Sequence, residues 1–132
     1  MASQLYPKIK AQMMQGNVDL LGTPIRAVLL DTAVYTYNAA HGNYTELTGI
    51  IGSESNLLTG KTISDLAVFD GNDIIFTLVT GAESEAVVLF LDTGVAVNDL
   101  LVAYIDSATG LPVTPNGTDI NIVWNPSGIF LL

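Results

Sequence analysis

Few side chains in this sequence are suited to acid–base or nucleophilic chemistry. His41 is the only histidine, and the chain has no cysteine. A Ser-His-Asp or Cys-His arrangement would therefore depend entirely on His41. No serine lies in a Gly-x-Ser-x-Gly context, and neither a phosphate-binding loop nor a dinucleotide fingerprint occurs. We interpret His41 as a structural or solvated residue and predict no catalytic residue.

Two groups of carboxylates allow alternative interpretations. Asp70, Asn72 and Asp73 offer oxygen atoms at close spacing, which would suit calcium weakly, but the EF-hand pattern with its terminal glutamate is absent. The same residues are typical of a turn. Glu83 and Glu85 flank the start of a strand, where they could form a polar rim or act as paired glycosidase acids with another carboxylate. Because neither group completes a motif, we predict no metal-binding and no cofactor-binding residue, and a hydrolase stays a minor alternative.

The charge content restricts the possible partners. The chain has 132 residues, of which 49% are hydrophobic and 13% are charged, and 13 acidic residues against 4 basic ones give a net charge of −9. Nucleic acids and anionic membranes attract clustered cations, so we expect neither as a partner. A soluble monomer normally has about 25% charged residues, and a surface poor in charge is typical of protein contacts. No signal segment and no apolar run of about 20 residues occurs, so we expect synthesis and retention in the cytosol unless the protein leaves within a larger assembly.

Two apolar runs, Ala86–Leu91 and Leu100–Ile105, are the centre of the predicted core. Both have the length of a strand and are nearly continuous in apolar residues, which predicts strands covered on both faces. The connection Asp92–Asp99 is longer than a tight hairpin turn, so it could carry a bulge or cross between sheets. Ile25–Leu30 is a further strong strand. The pairs Asp31-Thr32 and Asp92-Thr93 each end a strand, where Asp and Thr are expected to bond to local backbone amides.

The remaining segments complete an all-β fold. Thr62–Phe69 and Ile74–Val79 are predicted to pair as a hairpin around Asp70–Asp73, because Asp-Gly favours hairpin turns. Ile120, Ile122 and Trp124 alternate with polar or outward positions, which places them on one buried face. We therefore predict one domain over residues 1–132, mainly β, built as an antiparallel β-sandwich of about seven to nine strands with one N-terminal α-helix.

The N-terminal helix and a long loop are the predicted protein contacts. The helix is expected within residues 1–17, from a Ser3 cap to Gln15, with Gly16 as its left-handed C-terminal cap. Residues 33–60 form an irregular segment rich in tyrosine, which favours either an interaction arm or a loop that folds back so that the tyrosines cover the core edge. The contact candidates are the apolar helix stripe and the loop tyrosines, namely Leu5, Ile9, Met13, Tyr35, Tyr37 and Tyr44.

Motifs along nearly the whole chain also carry a family resemblance. They are Tyr6-Pro-Lys-Ile-Lys10, Met14-Gln-Gly-Asn-Val-Asp-Leu20, Ile25-Arg-Ala-Val-Leu-Leu-Asp31, His41 in a Tyr-rich loop, Lys61-Thr-Ile63 with Ala67-Val-Phe-Asp70, Ala86-Val-Val-Leu-Phe-Leu-Asp-Thr-Gly94, Leu100-Leu-Val-Ala-Tyr-Ile-Asp106 and Ile120-Asn-Ile-Val-Trp-Asn-Pro-Ser-Gly-Ile129. With these motifs the sequence resembles a family of small structural proteins from tailed-bacteriophage virions. The segment Leu47–Leu58 departs from the family pattern.

The resemblance implies a non-enzymatic role in the virion, as a capsid decoration or cement protein that stabilises the head. It also implies two kinds of partner, the major capsid protein and further copies of this chain, and assembly in the host cytoplasm. A tail or neck component is an alternative within the same class. A carbohydrate-binding or adhesin module is an alternative from a different class, since β-sandwiches with loop tyrosines bind sugars.

Overall fold

A computed structural model of the protein describes residues 3–132 and confirms a mainly antiparallel β architecture with one N-terminal α-helix. The first two residues of the predicted domain and helix lie outside the described range. Within that range there are ten strands and one α-helix, and two short 3₁₀ turns at Tyr44–Glu46 and Ala96–Asn98. The elements are β1 (Ser3–Leu5), α1 (Pro7–Met14), β2 (Ile25–Leu30), β3 (Ile50–Ile51), β4 (Thr62–Ile63), β5 (Val68–Asp70), β6 (Ile74–Phe76), β7 (Ala86–Leu91), β8 (Leu101–Ile105), β9 (Ile120–Ile122) and β10 (Phe130–Leu131).

The largest sheet has five strands in the order β1-β8-β7-β2-β3, and its three central strands are the three apolar runs of the sequence. Every residue of β7 and β8 is buried, so both faces of these strands are covered as predicted. The strands β7 and β8 are direct antiparallel neighbours, with a register shift between Leu89 and Phe90. Their connection holds the 3₁₀ turn Ala96–Asn98 and stays within the sheet. The stability of the fold therefore rests mainly on β2, β7 and β8.

The hairpin predicted around Asp70–Asp73 is wrong. Segment 62–69 is split into β4 and β5, which pair with each other around a turn at residues 64–67, and β5 also pairs with β10. The strand β6 pairs instead with β9, in a separate two-stranded sheet. A two-residue Asp-Gly hairpin needs a positive φ at both central residues, and Gly71 is not among the residues with positive φ. The chain at Asp70–Asp73 therefore passes from one sheet to the next.

The predicted helix is shorter than expected and starts later. Pro7 is its first residue, and Tyr6 before it has extended backbone angles, φ −81° and ψ 130°. A proline disfavours the helical conformation in the residue that precedes it, so the chain up to Leu5 forms the edge strand β1 and Ser3 lies in that strand, not at a helix cap. Gly16 has φ +77° and ends the helix in the left-handed conformation, as predicted.

The alternation at Ile120–Trp124 is confirmed. Ile120, Ile122 and Trp124 are buried, whereas Asn121 and Val123 are exposed. Trp124 is 4% exposed, and its indole N–H donates to the Asn72 carbonyl oxygen at 2.9 Å. This bond connects the end of β9 to the segment between β5 and β6, so the indole is part of the core.

Candidate functional site

The side chains of the Asp70–Asp73 segment hold the chain in place. The Asp70 carboxylate accepts a bond from the Gly71 N–H at 2.8 Å, and the Asp73 carboxylate accepts one from the Trp124 N–H at 3.1 Å. The Asn72 amide donates to the Thr59 hydroxyl at 3.1 Å. Over residues 3–132, no group of three or more His, Asp or Glu side chains lies close enough to hold a metal ion. The carboxylate oxygens of Asp70 and Asp73 therefore stabilise the backbone of this segment and of the end of β9.

The carboxylate of Glu85 is also used in hydrogen bonds within the protein. One of its oxygens accepts bonds from both the backbone N–H and the hydroxyl of Thr32, at 3.0 and 2.9 Å. Glu83 accepts a longer bond, 3.3 Å, from the Thr114 hydroxyl. A general acid or nucleophile must reach a substrate, whereas Glu85 is directed at the end of β2. Glu85 therefore stabilises the end of β2 through its bonds to Thr32.

The two Asp-Thr pairs that end β2 and β7 are built alike. Asp31 and Asp92 each accept a bond from the backbone N–H two residues further on, at 2.9 and 3.1 Å, as predicted. Thr93 donates its N–H and its hydroxyl to one carboxylate oxygen of Asp99, as Thr32 does to Glu85. Asp99 is 5% exposed, so its charge is satisfied within the protein. The sequence similarity of the two pairs thus reflects the same strand-end chemistry.

A buried aromatic cluster takes up most of the tyrosines of the 33–60 loop. The Tyr6 and Tyr35 hydroxyls are 2.9 Å apart, and the Tyr35 hydroxyl is 3.0 Å from His41 Nδ1. The Tyr37 hydroxyl donates to the Leu5 carbonyl at 2.8 Å, and its ring lies 5.0 Å from the ring of Tyr6. Burial raises the pKa of Tyr6 and of Tyr35 above the ordinary tyrosine value. These phenols therefore stay protonated and act as hydrogen-bonding packing groups.

The predicted contact residues are placed mainly inward. Ile9 is 0% and Tyr35 is 2% exposed. Neither side chain is therefore accessible to a partner in this fold. The other four candidates, Leu5, Met13, Tyr37 and Tyr44, are partly buried and pack against the core. The geometry supports the second interpretation of the loop, in which it folds back and its tyrosines cover the core edge.

A different set of residues forms a partly exposed apolar surface. Met13, Leu20, Ile63, Ala67, Phe69, Phe130 and Leu132 line a shallow recess of about 60 Å³. Three residues next to these in sequence are strongly exposed: Met14 at 83%, Leu66 at 79% and Leu131 at 59%. These ten residues are called the apolar surface below. They come from the end of α1, the connection between α1 and β2, the β4–β5 hairpin and the end of the chain around β10. Leu20, Phe69 and Phe130 are themselves buried, and the exposed apolar side chains near them are of the kind found at interaction sites.

The hairpin turn that presents Leu66 is strained. Ala67 has φ +62°, a left-handed conformation that costs a non-glycine residue about 1–2 kcal/mol. The Ser64 hydroxyl oxygen accepts bonds from the Leu66 and Val68 N–H groups at 3.2 and 3.3 Å, and the Ser64 carbonyl accepts one from Ala67. Strained backbone that the surrounding bonds maintain is concentrated at functional sites. The turn therefore carries a local cost in stability next to the exposed Leu66.

The sequence contained only an indirect signal for this surface. Ile129–Leu132 is a wholly apolar run, and four consecutive apolar residues in a strand cannot all face one buried side. Leu66 falls in a segment that the alternation assigned to a single strand. Which apolar side chains are left in solvent depends on the pairing of β4, β5 and β10, which is a long-range property.

A second depression on the surface is polar. Its volume is about 450 Å³, and it is lined by Arg26, Glu54, Ser55, Asn56, Ile75, Thr77 and Asp119. The Arg26 guanidinium is held by the Asp92 carboxylate at 2.8 Å and by the Ser55 carbonyl at 2.9 Å. The remaining N–H groups of Arg26 and the carboxylates of Glu54 and Asp119 give this groove both donors and acceptors.

The chain matches no family model and no curated protein sequence. None of the helical segments described between residues 3 and 132 has the length and apolar character needed to cross a membrane.

Proposed function

We propose that this chain is a non-enzymatic structural protein of a tailed-bacteriophage virion, and that it binds the outside of the head as a decoration or cement protein. The observation that carries the proposal is the apolar surface in a protein with few charges. The resemblance of the motifs to small virion proteins supports it. The partners in this proposal are the major capsid protein and other copies of this chain, and neither nucleic acid nor membrane takes part.

The contact is assigned to the apolar surface instead of the loop tyrosines. Leu66, Leu131 and Met14 are exposed, whereas the hydroxyls of Tyr35 and Tyr37 in the loop form hydrogen bonds within the protein. Burying an apolar side chain contributes about 25 cal/mol per Å² removed from water. A protein that binds the assembled shell but not free subunits stabilises the shell by its binding free energy at each site. Many modest contacts then add up to a large resistance to heat.

The test uses heads prepared without this protein, to which the purified chain is added back. Bare heads should bind it in high copy number and should then withstand a higher temperature. High salt should weaken binding little, because an apolar contact is not screened by ions. Normal heat resistance of the bare heads, together with no binding, would contradict the cement role and would favour the tail or neck alternative.

A matched pair of variants locates the contact. Leu66→Ser removes an exposed side chain of the apolar surface. Leu78→Asn removes a side chain that is similarly exposed, at 73%, but that follows β6 and belongs to none of the segments that form the apolar surface. Leu78 has φ +47°, which asparagine tolerates, so this control should keep the backbone conformation. Leu66→Ser should weaken binding to heads and Leu78→Asn should not. Equal binding by both variants would place the contact elsewhere.

The polar groove favours a second candidate function, carbohydrate binding. Its volume of about 450 Å³ is in the range of small-ligand sites, and the remaining N–H groups of Arg26 together with the carboxylates of Glu54 and Asp119 would suit sugar hydroxyls. No aromatic ring is among its lining residues, which counts against stacking on a sugar. Calorimetric titration with a panel of neutral oligosaccharides tests this alternative, and Thr77→Val should abolish any binding that occurs in the groove.

A further inference from the structure

The strand β4 forms an open edge of the three-stranded sheet β10-β5-β4. Both of its residues are exposed, and the side chain of Ile63 is 48% exposed. The edge strand β1 of the five-stranded sheet is covered, in contrast, because the Tyr37 hydroxyl donates to the Leu5 carbonyl at 2.8 Å. An uncovered edge strand is a template for pairing with another chain.

The register identifies the backbone groups of β4 that are free. Ile63 lies opposite Phe69 of β5, and the Ser64 N–H donates to the Val68 carbonyl at 3.0 Å. Successive residues of an antiparallel strand direct their N–H and C=O groups to opposite sides. Since Ser64 is bonded towards β5, the N–H and C=O of Ile63 point away from β5. The Phe69 carbonyl accepts instead from the Ile129 N–H, on its other side. Within residues 3–132, neither backbone group of Ile63 has a hydrogen-bond partner.

The side chain of Ile63 is the last member of a row that crosses this sheet. Phe130 lies opposite Phe69, and Phe69 lies opposite Ile63. The rings of Phe69 and Phe130 are stacked with centroids 5.0 Å apart, and all three side chains line the recess of the apolar surface. Directly opposite side chains on one face are the pairs that stabilise a sheet. Ile63 has such a neighbour on the β5 side only, so a strand added beside β4 would extend the row.

This edge is complementary to a second copy of itself. Antiparallel pairing about a two-fold axis at Ile63 lets its N–H bond to the C=O of the same residue in the copy, and the reverse. The same register sets Lys61, two residues before Ile63, opposite Asp65 of the copy, and it does so twice. The Lys61 ammonium donates one hydrogen to the Thr23 carbonyl, which leaves two for a partner. Asp65 is exposed, and opposite charges that face each other across two strands favour their pairing.

We propose that two copies of this chain pair through β4, so that two three-stranded sheets become one sheet of six strands with a continuous apolar row on one face. This pairing is the self-contact of the proposed function, and its role at the head surface rests on that function, since neighbouring copies on a head have a high effective concentration. The pairing itself is a property of the purified chain. Its failure would leave binding to heads untouched, and failure to bind heads would leave the pairing untouched.

Exchange of backbone amide hydrogens in the full-length chain tests the new bond directly. At about 0.15 M salt, which screens the charge of two acidic chains, the Ile63 N–H should exchange freely in dilute protein. On concentration its exchange should slow, by about tenfold once nine-tenths of the chains are paired. The Ser64 N–H, bonded within the chain, is the internal reference. An Ile63 N–H that exchanges equally fast at every concentration would overturn the proposal.

Substitution of Ile63 by lysine blocks the edge. Ile63→Lys places two like charges opposite each other at the axis, so sedimentation equilibrium should show a loss of self-association of at least about tenfold. Ile75→Lys changes an isoleucine of β6 that is 43% exposed, and it should associate as the wild type does. Equal association of the two variants would reject β4 as the contact.

Single cysteines locate the register. The chain has no cysteine of its own, and a directly opposite bonded pair has Cα atoms about 5.5 Å apart, within reach of a disulfide. Ile63→Cys should therefore oxidise to a linked dimer about tenfold faster than Ile75→Cys. Equal rates would contradict the pairing, and so would a mixture in which Ile63→Cys links chiefly to Leu131→Cys, because β4 would then meet β10 of the next copy. If a variant does not fold by circular dichroism, the amide exchange of the wild type decides the question.

Discussion

Replacing Trp124 by alanine tests the packing that joins β9 to the segment between β5 and β6. Trp124 is 4% exposed, its indole N–H bonds to the Asn72 carbonyl, and its backbone N–H bonds to Asp73. Truncation of a buried tryptophan costs about 3–5 kcal/mol through lost burial and a residual cavity. At about 0.05–0.15 kcal/mol per residue, a chain of this length has roughly 7–20 kcal/mol of stability. We therefore expect Trp124→Ala to remove a large part of it.

Two further variants separate the contribution of the indole hydrogen bond from that of the buried ring and of a neighbouring exposed side chain. Trp124→Phe keeps a ring but leaves the Asn72 carbonyl without its donor, so it should cost about 1–3 kcal/mol. Val123→Ala changes the neighbouring exposed side chain, so its effect should stay within about 0.5 kcal/mol. Urea unfolding followed by far-ultraviolet circular dichroism measures all of them, since this signal does not need the tryptophan. A loss below 1 kcal/mol for Trp124→Ala, or a wild-type fluorescence maximum typical of a water-exposed indole, would refute the reasoning.

Three other perturbations test separate parts of the structure. The double change Leu66→Ser and Leu131→Ser should alter the free energy of unfolding by less than about 1 kcal/mol, because both side chains are exposed; a larger loss in urea titration would mean that they pack in the core. Asp99→Ala should cost about 1–3 kcal/mol, because it removes the carboxylate that accepts from the Thr93 N–H and hydroxyl at the end of β7, and an unchanged melting temperature would contradict this. Glu46→Gln should reduce the loss of stability between pH 7 and pH 3. Backbone N–H bonds lower the pKa of Glu46, so its ionised form stabilises the fold above the ordinary glutamate pKa of about 4.3, and this stabilisation is lost as the pH falls through the lower folded pKa. Identical acid curves for the wild type and Glu46→Gln would reject that assignment.

The strands of the core and their burial could be predicted from the sequence because they depend on local composition. Ala86–Leu91 is an uninterrupted apolar run, and any arrangement that leaves one of its faces in water loses the free energy of burying that face. The alternation at Ile120–Trp124 and the left-handed Gly16 are local in the same sense. In each case the residue types restrict the backbone or the exposed face whatever lies elsewhere in the chain.

The partners of the strands were decided only by the tertiary structure. Asp70-Gly71 has the composition of a hairpin turn, but β6 pairs with β9, and Trp124 bonds to the Asn72 carbonyl and the Asp73 carboxylate. Likewise, Tyr35 has the composition of a surface contact, but it is buried because Tyr6 and His41, 29 and 6 residues away in sequence, satisfy its hydroxyl. The apolar surface also arises from pairing, since the register of β4, β5 and β10 sets which side chains remain in solvent. Residue types thus determined what must be buried, whereas hydrogen bonds between distant segments determined which polar groups are free and which apolar side chains remain in solvent.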